Sequence, residues 1–120
     1  MSAKVLFVDD EEEIRDLMSI NFESMGVEVT LAGSGNEALK ILETEKFDAI
    51  VSDVKMADGS GVDLLEGINK RGLDTPFIFL TAYLDLDSKK LVELGARKVF
   101  YKPTKFSEIE AFLLSTFENK

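Results

Sequence analysis

Val5-Leu6-Phe7-Val8-Asp9-Asp10 and Ala49-Ile50-Val51-Ser52-Asp53 decide the fold, because each is a continuous apolar run that ends in carboxylates. A run without polar alternation belongs to a strand covered on both faces, the usual state in parallel sheets with helices above and below. If the two strands are parallel neighbours, Asp9, Asp10 and Asp53 meet at one edge of the sheet. Like charges a few ångströms apart repel strongly in a partly desolvated site. That edge therefore calls for a cation, and a divalent metal is the simplest remedy.

Working outward, Phe77–Leu80 and the weaker Val99–Tyr101 recur at similar intervals, and Val27-Glu28-Val29-Thr30-Leu31 alternates apolar with polar residues. Between these runs lie helical patterns. Ile14, Leu17, Met18, Phe22 and Met25 fall on one helix face that Gly26 stops. Ala38, Leu39, Ile41 and Leu42 mark a second helix, Val62, Leu65 and Ile68 a third, and Leu91, Val92 and Leu94 a shorter fourth ending at Gly95. Phe106, Ile109, Phe112, Leu113, Thr116 and Phe117 give a fifth, with Ser107 as its expected N-cap. Strand and helix alternate five times, so the expected fold is α/β, a doubly wound parallel sheet with right-handed crossovers. The continuous runs belong inside and the second and fifth at the edges, which makes 2-1-3-4-5 the natural strand order. Ligands in such sheets bind beyond the strand C-termini at the switch point, here between strands 1 and 3.

With 120 residues, 45% of them hydrophobic, and only two prolines, residues 1–120 are expected to form one domain with a genuine core. Twenty-three acidic against 14 basic residues give a net charge of −9, which argues against direct binding to nucleic acid or to anionic lipid. No cysteine and no histidine occur, so thiolate nucleophiles, imidazole bases and any phosphohistidine of its own are excluded. Carboxylate, hydroxyl and lysine chemistry remain. No signal-peptide layout and no apolar run of spanning length are found, and a cytoplasmic location is expected.

The acidic run Asp9-Asp10-Glu11-Glu12-Glu13 also suits a helix N-terminus, a reading that explains the three glutamates but does not need two acids on the end of a buried strand. Asp53 alone would pass for a turn residue, Thr81 for an ordinary strand residue and Lys102 for a solvated surface group. Their shared location at the same end of different strands is what raises them together. Asp48, at the opposite edge, and Asp58, in the loop after Asp53, are expected to stay outside the cluster.

The acid pair Asp9-Asp10, Asp53 followed by Met56 and Gly61, Thr81-Ala82, and Gly95-Ala96 followed by Lys102-Pro103 together resemble the response-regulator receiver domain of two-component signalling. The resemblance covers essentially the whole chain and implies the flavodoxin-like (βα)5 fold. It implies that Asp53 takes a phosphoryl group from a phosphohistidine on a sensor histidine kinase or histidine phosphotransfer protein. Mg²⁺ would be bound by Asp10, Asp53 and the backbone carbonyl of Lys55, with Asp9 acting mainly through a water. Thr81 and Lys102 would contact the phosphoryl oxygens, with the Lys102-Pro103 bond in the cis form. A downstream protein target is expected on the face built from the fourth helix, fifth strand and fifth helix.

The chain departs from the family pattern at two places. Ala57 stands where a proline often follows the methionine, which predicts a less rigid loop, and Val99 replaces the usual inward-swinging aromatic, leaving open whether Phe100 or Tyr101 takes its place. Lys55 and Tyr83 occupy positions that the family varies, and both are expected to flank the site. An aspartate-nucleophile phosphatase would carry a second aspartate where Lys55 stands, and a non-phosphorylated docking module would not need the intact acid pair. A nucleotide or flavin binder would need a phosphate loop, and Gly33-Ser34-Gly35 is instead the turn before a helix.

Overall fold

The computed structural model describes residues 3–82 and 87–118. Five parallel strands, β1 (Lys4–Val8), β2 (Glu28–Ala32), β3 (Ala49–Ser52), β4 (Phe77–Thr81) and β5 (Lys98–Tyr101), lie in the order β2-β1-β3-β4-β5. Helices α1 (Glu12–Ser24), α2 (Gly35–Ile41), α3 (Gly61–Lys70), α4 (Ser88–Glu93) and α5 (Phe106–Glu118) alternate with them. This is the doubly wound, flavodoxin-like (βα)5 arrangement, with its reversal between β1 and β3.

Strand alternation divides the core into two layers. Leu6, Val8, Ile50, Phe77 and Phe79 face α2, α3 and α4, where they meet Ala38, Leu64, Leu65, Ile68 and Leu91. Val5, Phe7, Val51, Ile78 and Leu80 face α1 and α5, where they meet Met18, Phe22, Ile109 and Leu113. The interior strands β3 and β4 are buried along their whole length, whereas β2 and β5 are only partly covered, as edge strands are.

Two of the differences from the sequence expectation have a clear structural cause. β2 begins at Glu28 rather than Val27, because Val27 belongs to the end of α1. Its amide donates to Phe22 O (3.4 Å) and that of Gly26, at φ 84°, to Glu23 O (3.0 Å), the paired bonds of a Schellman motif. The ladder then starts with Glu28 opposite Lys4. Ser107 is not an N-cap, because α5 already includes Phe106, whose ring packs edge-on against Phe22 at 5.3 Å and draws that residue into the first turn. Among the described residues, no helix is long and apolar enough to cross a membrane.

Candidate functional site

The register of β1 with β3 builds the site. Val8 pairs with Ser52, and the amide of Asp53 donates to Val8 O at 3.0 Å, so Asp9 and Asp53 leave the sheet side by side. Asp9 is buried; its amide donates to Ala32 O (3.1 Å) and its Oδ1 accepts the amide of Glu11 (2.9 Å). The capping reading of the acidic run is thus partly right, since Asp9 serves an amide at the start of α1 while Glu11, in the N-cap position, makes no side-chain cap bond. Burial pushes the Asp9 carboxyl above the ordinary aspartate range, against the pull of the Glu11 amide and of Lys102, and the neighbouring charge of Asp53 adds to the rise.

Asp53 Oδ1 accepts the amide of Val54 (2.7 Å), leaving Oδ2 directed toward Lys102. Lys102 follows β5, its amide donates to Thr81 O (2.7 Å), and the Lys102-Pro103 peptide is cis, as the resemblance implied. Its ammonium lies 3.5 Å from Asp9 Oδ2 and 3.6 Å from Asp53 Oδ2. Lys102 thus brings positive charge to the edge where the two apolar runs end. Asp10 is exposed and leans the other way, its Oδ2 3.4 Å from the amide of Ala57. Among the described residues, no three acidic, histidine or cysteine side chains form a metal cage. The carboxylates of Asp9, Asp10 and Asp53 are hard oxygen donors, the kind that suit a cation keeping several of its waters.

Thr81 is fully buried at the end of β4 and pairs in register with Tyr101. This pairing sorts the two aromatic candidates beside Val99. Phe100 points to the α1–α5 face, with its ring 6.0 Å from that of Phe112. Tyr101 follows the alternation of Val99 and shares the face of Thr81. Lys55 is exposed in the loop after β3, Tyr83 lies outside the described residues, and Asp48 accepts the amide of Lys4 (2.7 Å) at the far edge. Gly61, which opens α3, approaches so closely that a Cβ there would stand 2.1 Å from Asp53 O and 2.9 Å from the Phe79 ring.

Arg15 is a site residue that sequence reasoning missed. From the second turn of α1 its Nη1 donates to Asp9 O at 2.8 Å, tying the helix to the strand end. A lone basic residue among Asp9 to Asp16 was the available signal.

Residues 5–114 match the response regulator receiver domain family. The alkaline phosphatase synthesis transcriptional regulatory protein PhoP of Bacillus subtilis is 40% identical over 112 residues, 92% of this chain and 47% of that protein. The chain thus spans about half the length of this curated relative, and 23% of the response regulator protein PilR of Pseudomonas aeruginosa, which is 38% identical over 101 residues, 83% of this chain. Among solved structures, the response regulator protein TrrA of Thermotoga maritima, in complex with Mg²⁺-BeF, superposes with a TM-score of 0.87 at 30% identity, covering 97% of this chain and 99% of that one.

Proposed function

The chain belongs to the response regulator receiver domain family, and from that premise we propose that residues 1–120 form one phosphorylation-activated switch whose phosphoryl acceptor is Asp53. A carboxylate oxygen of Asp53 attacks the phosphorus of a phosphohistidine on a sensor histidine kinase or histidine phosphotransfer protein, the P–N bond breaks, and the imidazole leaves. The observation that carries this reading is the placement of the Lys102 ammonium 3.6 Å from Asp53 Oδ2, at a carboxylate whose side chain keeps 12% exposure to an incoming donor. Lys102 holds charge on one side of the arriving group. The Thr81 hydroxyl, at the end of the neighbouring strand, takes one phosphoryl oxygen in the modified state only, and such a difference between states is what shifts a conformational balance.

Mg²⁺ would be held by Asp10, Asp53 and the main-chain carbonyl of Lys55, with Asp9 behind a water, and would neutralise the phosphoryl oxygens. The exposed Asp10 and the all-oxygen donor set support that assignment. Apart from this self-catalysed transfer and the later hydrolysis of the aspartyl phosphate, which releases inorganic phosphate, the chain is not an enzyme. The downstream partner is a protein that docks on the face of α4, β5 and α5, where Val92 and Leu114 are 50% and 45% exposed. The working location is the cytoplasm, where such kinases present their phosphohistidine. Neither nucleic acid nor membrane is a direct partner, given the net charge of −9.

Incubation with Mg²⁺ and a small phosphodonor, read by intact mass, tests the proposal. One phosphoryl group is added to the native chain and none to Asp53→Ala. An unchanged mass with several donors and a cognate kinase would leave a docking module, and turnover of many phosphate esters would identify a phosphatase.

A further inference from the structure

The loop from Asp53 to Gly61 carries Lys55 and Ala57, and nothing in its own sequence stiffens it, since alanine stands where a ring would fix the backbone. Its restraint comes from another part of the chain. The Asp58 carboxylate accepts from two side chains at the start of α2, Ser34 Oγ (3.2 Å) on Oδ2 and Asn36 Nδ2 (2.9 Å) on Oδ1. The main chains join as well, with Gly35 N donating to Gly59 O (2.8 Å) and Asn36 N to Asp58 O (3.2 Å). The two loops approach so closely that a Cβ on Gly35 would stand 2.6 Å from Gly59 O. Asp58 itself sits at φ 58°, in the left-handed region that a non-glycine residue keeps only where its surroundings hold it.

We propose that Asp58, with Asn36 as its principal donor, is a positioning residue for the phosphorylation site: it clamps the acceptor loop to α2 and so fixes the Lys55–Ala57 main chain beside Asp10, where Mg²⁺ would be held. This rests on the reading of Asp53 and Mg²⁺ given above. At its base the loop is closed by Gly61 N donating to Val54 O (2.8 Å), and at its tip by the clamp. Lys55, Met56 and Ala57 lie between these two fixed points, and the Ala57 amide is already 3.4 Å from Asp10 Oδ2. Ser34 is suited to its part because it caps α2 by accepting from Glu37 N (3.0 Å) while its hydroxyl proton goes to Asp58. The clamp therefore draws on groups already fixed by the helix start. Outer-shell partners of this kind commonly tune metal affinity through the ligands they orient.

The test uses the full chain and MgCl2 alone, with binding read by calorimetry, amide exchange over residues 54–60 read without metal, and the thermal midpoint read as a control for folding. Asp58→Ala weakens Mg²⁺ binding about tenfold and speeds exchange of the loop amides. Asn36→Ala removes one bond at an exposed helix position and weakens binding about threefold. Asp58→Asn keeps both bonds, its amide donating to Ser34 and its carbonyl accepting from Asn36, and stays within about twofold of the native affinity. Native Mg²⁺ affinity and loop exchange in folded Asn36→Ala and Asp58→Ala would overturn the clamp, as would an Asp58→Asn no better than alanine. A native chain that binds Mg²⁺ in this variant-sensitive way yet takes no phosphoryl group would overturn the reading of Asp53 and leave the clamp standing.

Discussion

Lys4 and Lys102 are the same chemical group at opposite edges of one sheet. Lys4, at the start of β1, reaches Glu45 at 3.3 Å with the two side chains 37% and 43% exposed. Lys102 makes longer contacts, 3.5 Å and 3.6 Å, but to carboxylates that are 2% and 12% exposed. Contact length would rank Lys4 first, and solvent reverses the order. Water screens the exposed pair, whereas the Asp9 carboxylate has given up most of its hydration and depends on the ammonium and the Glu11 amide in its place.

The comparison is tested first at its strong end. Lys102→Ala lowers the rate of phosphorylation by a small donor about a hundredfold, as loss of a charge-stabilising donor does elsewhere, and a rate within twofold of native in mass-detected time courses would break the contrast. Asp9→Asn comes next. Because burial raises the folded-state carboxyl above its ordinary 3.8, the native state holds the proton more tightly than the unfolded chain does. This contribution to stability is complete below the unfolded value and is lost as pH rises through the raised folded value. Ionised Asp9 is thus a burden at neutral pH. In EDTA at pH 7, Asp9→Asn raises stability by about 1 kcal/mol, or roughly 4 °C in melting temperature, and the gain shrinks as acid protonates the native residue. A lowered midpoint at pH 7 would show that the ion pair outweighs desolvation. The smallest effect is at Lys4, where alanine changes stability by less than about 0.5 kcal/mol by denaturant titration and leaves phosphorylation untouched.

Much of this arrangement was legible in the chain. Continuous apolar runs against the alternating Val27–Leu31 separated interior strands from edges, and the common doubly wound arrangement consistent with that separation is the observed order. The strand-end positions of Asp9, Asp53, Thr81 and Lys102 followed from it. Less was legible wherever the answer depends on two segments without periodicity meeting in space. Asp58 was set aside as a loop residue, which is correct locally, but its bonds to Ser34 and Asn36 need a left-handed backbone and a neighbour 22 to 24 positions away. The position of Lys102 at a strand end was legible, and its ammonium does reach Asp9 and Asp53, though the distances of 3.5 Å and 3.6 Å could come only from the structure. Likewise, alternation set Phe100 against Tyr101, but only the pairing of Thr81 with Tyr101 says which of them shares the threonine's face.

Gly61 has a mechanical meaning for the molecule. The space that a side chain at position 61 would need is already filled by the carbonyl of Asp53 and the ring of Phe79. The main chain after β3 and the start of α3 are therefore held face to face, with no room for a side chain between them. Alanine at position 61 would force that contact open in the resting molecule.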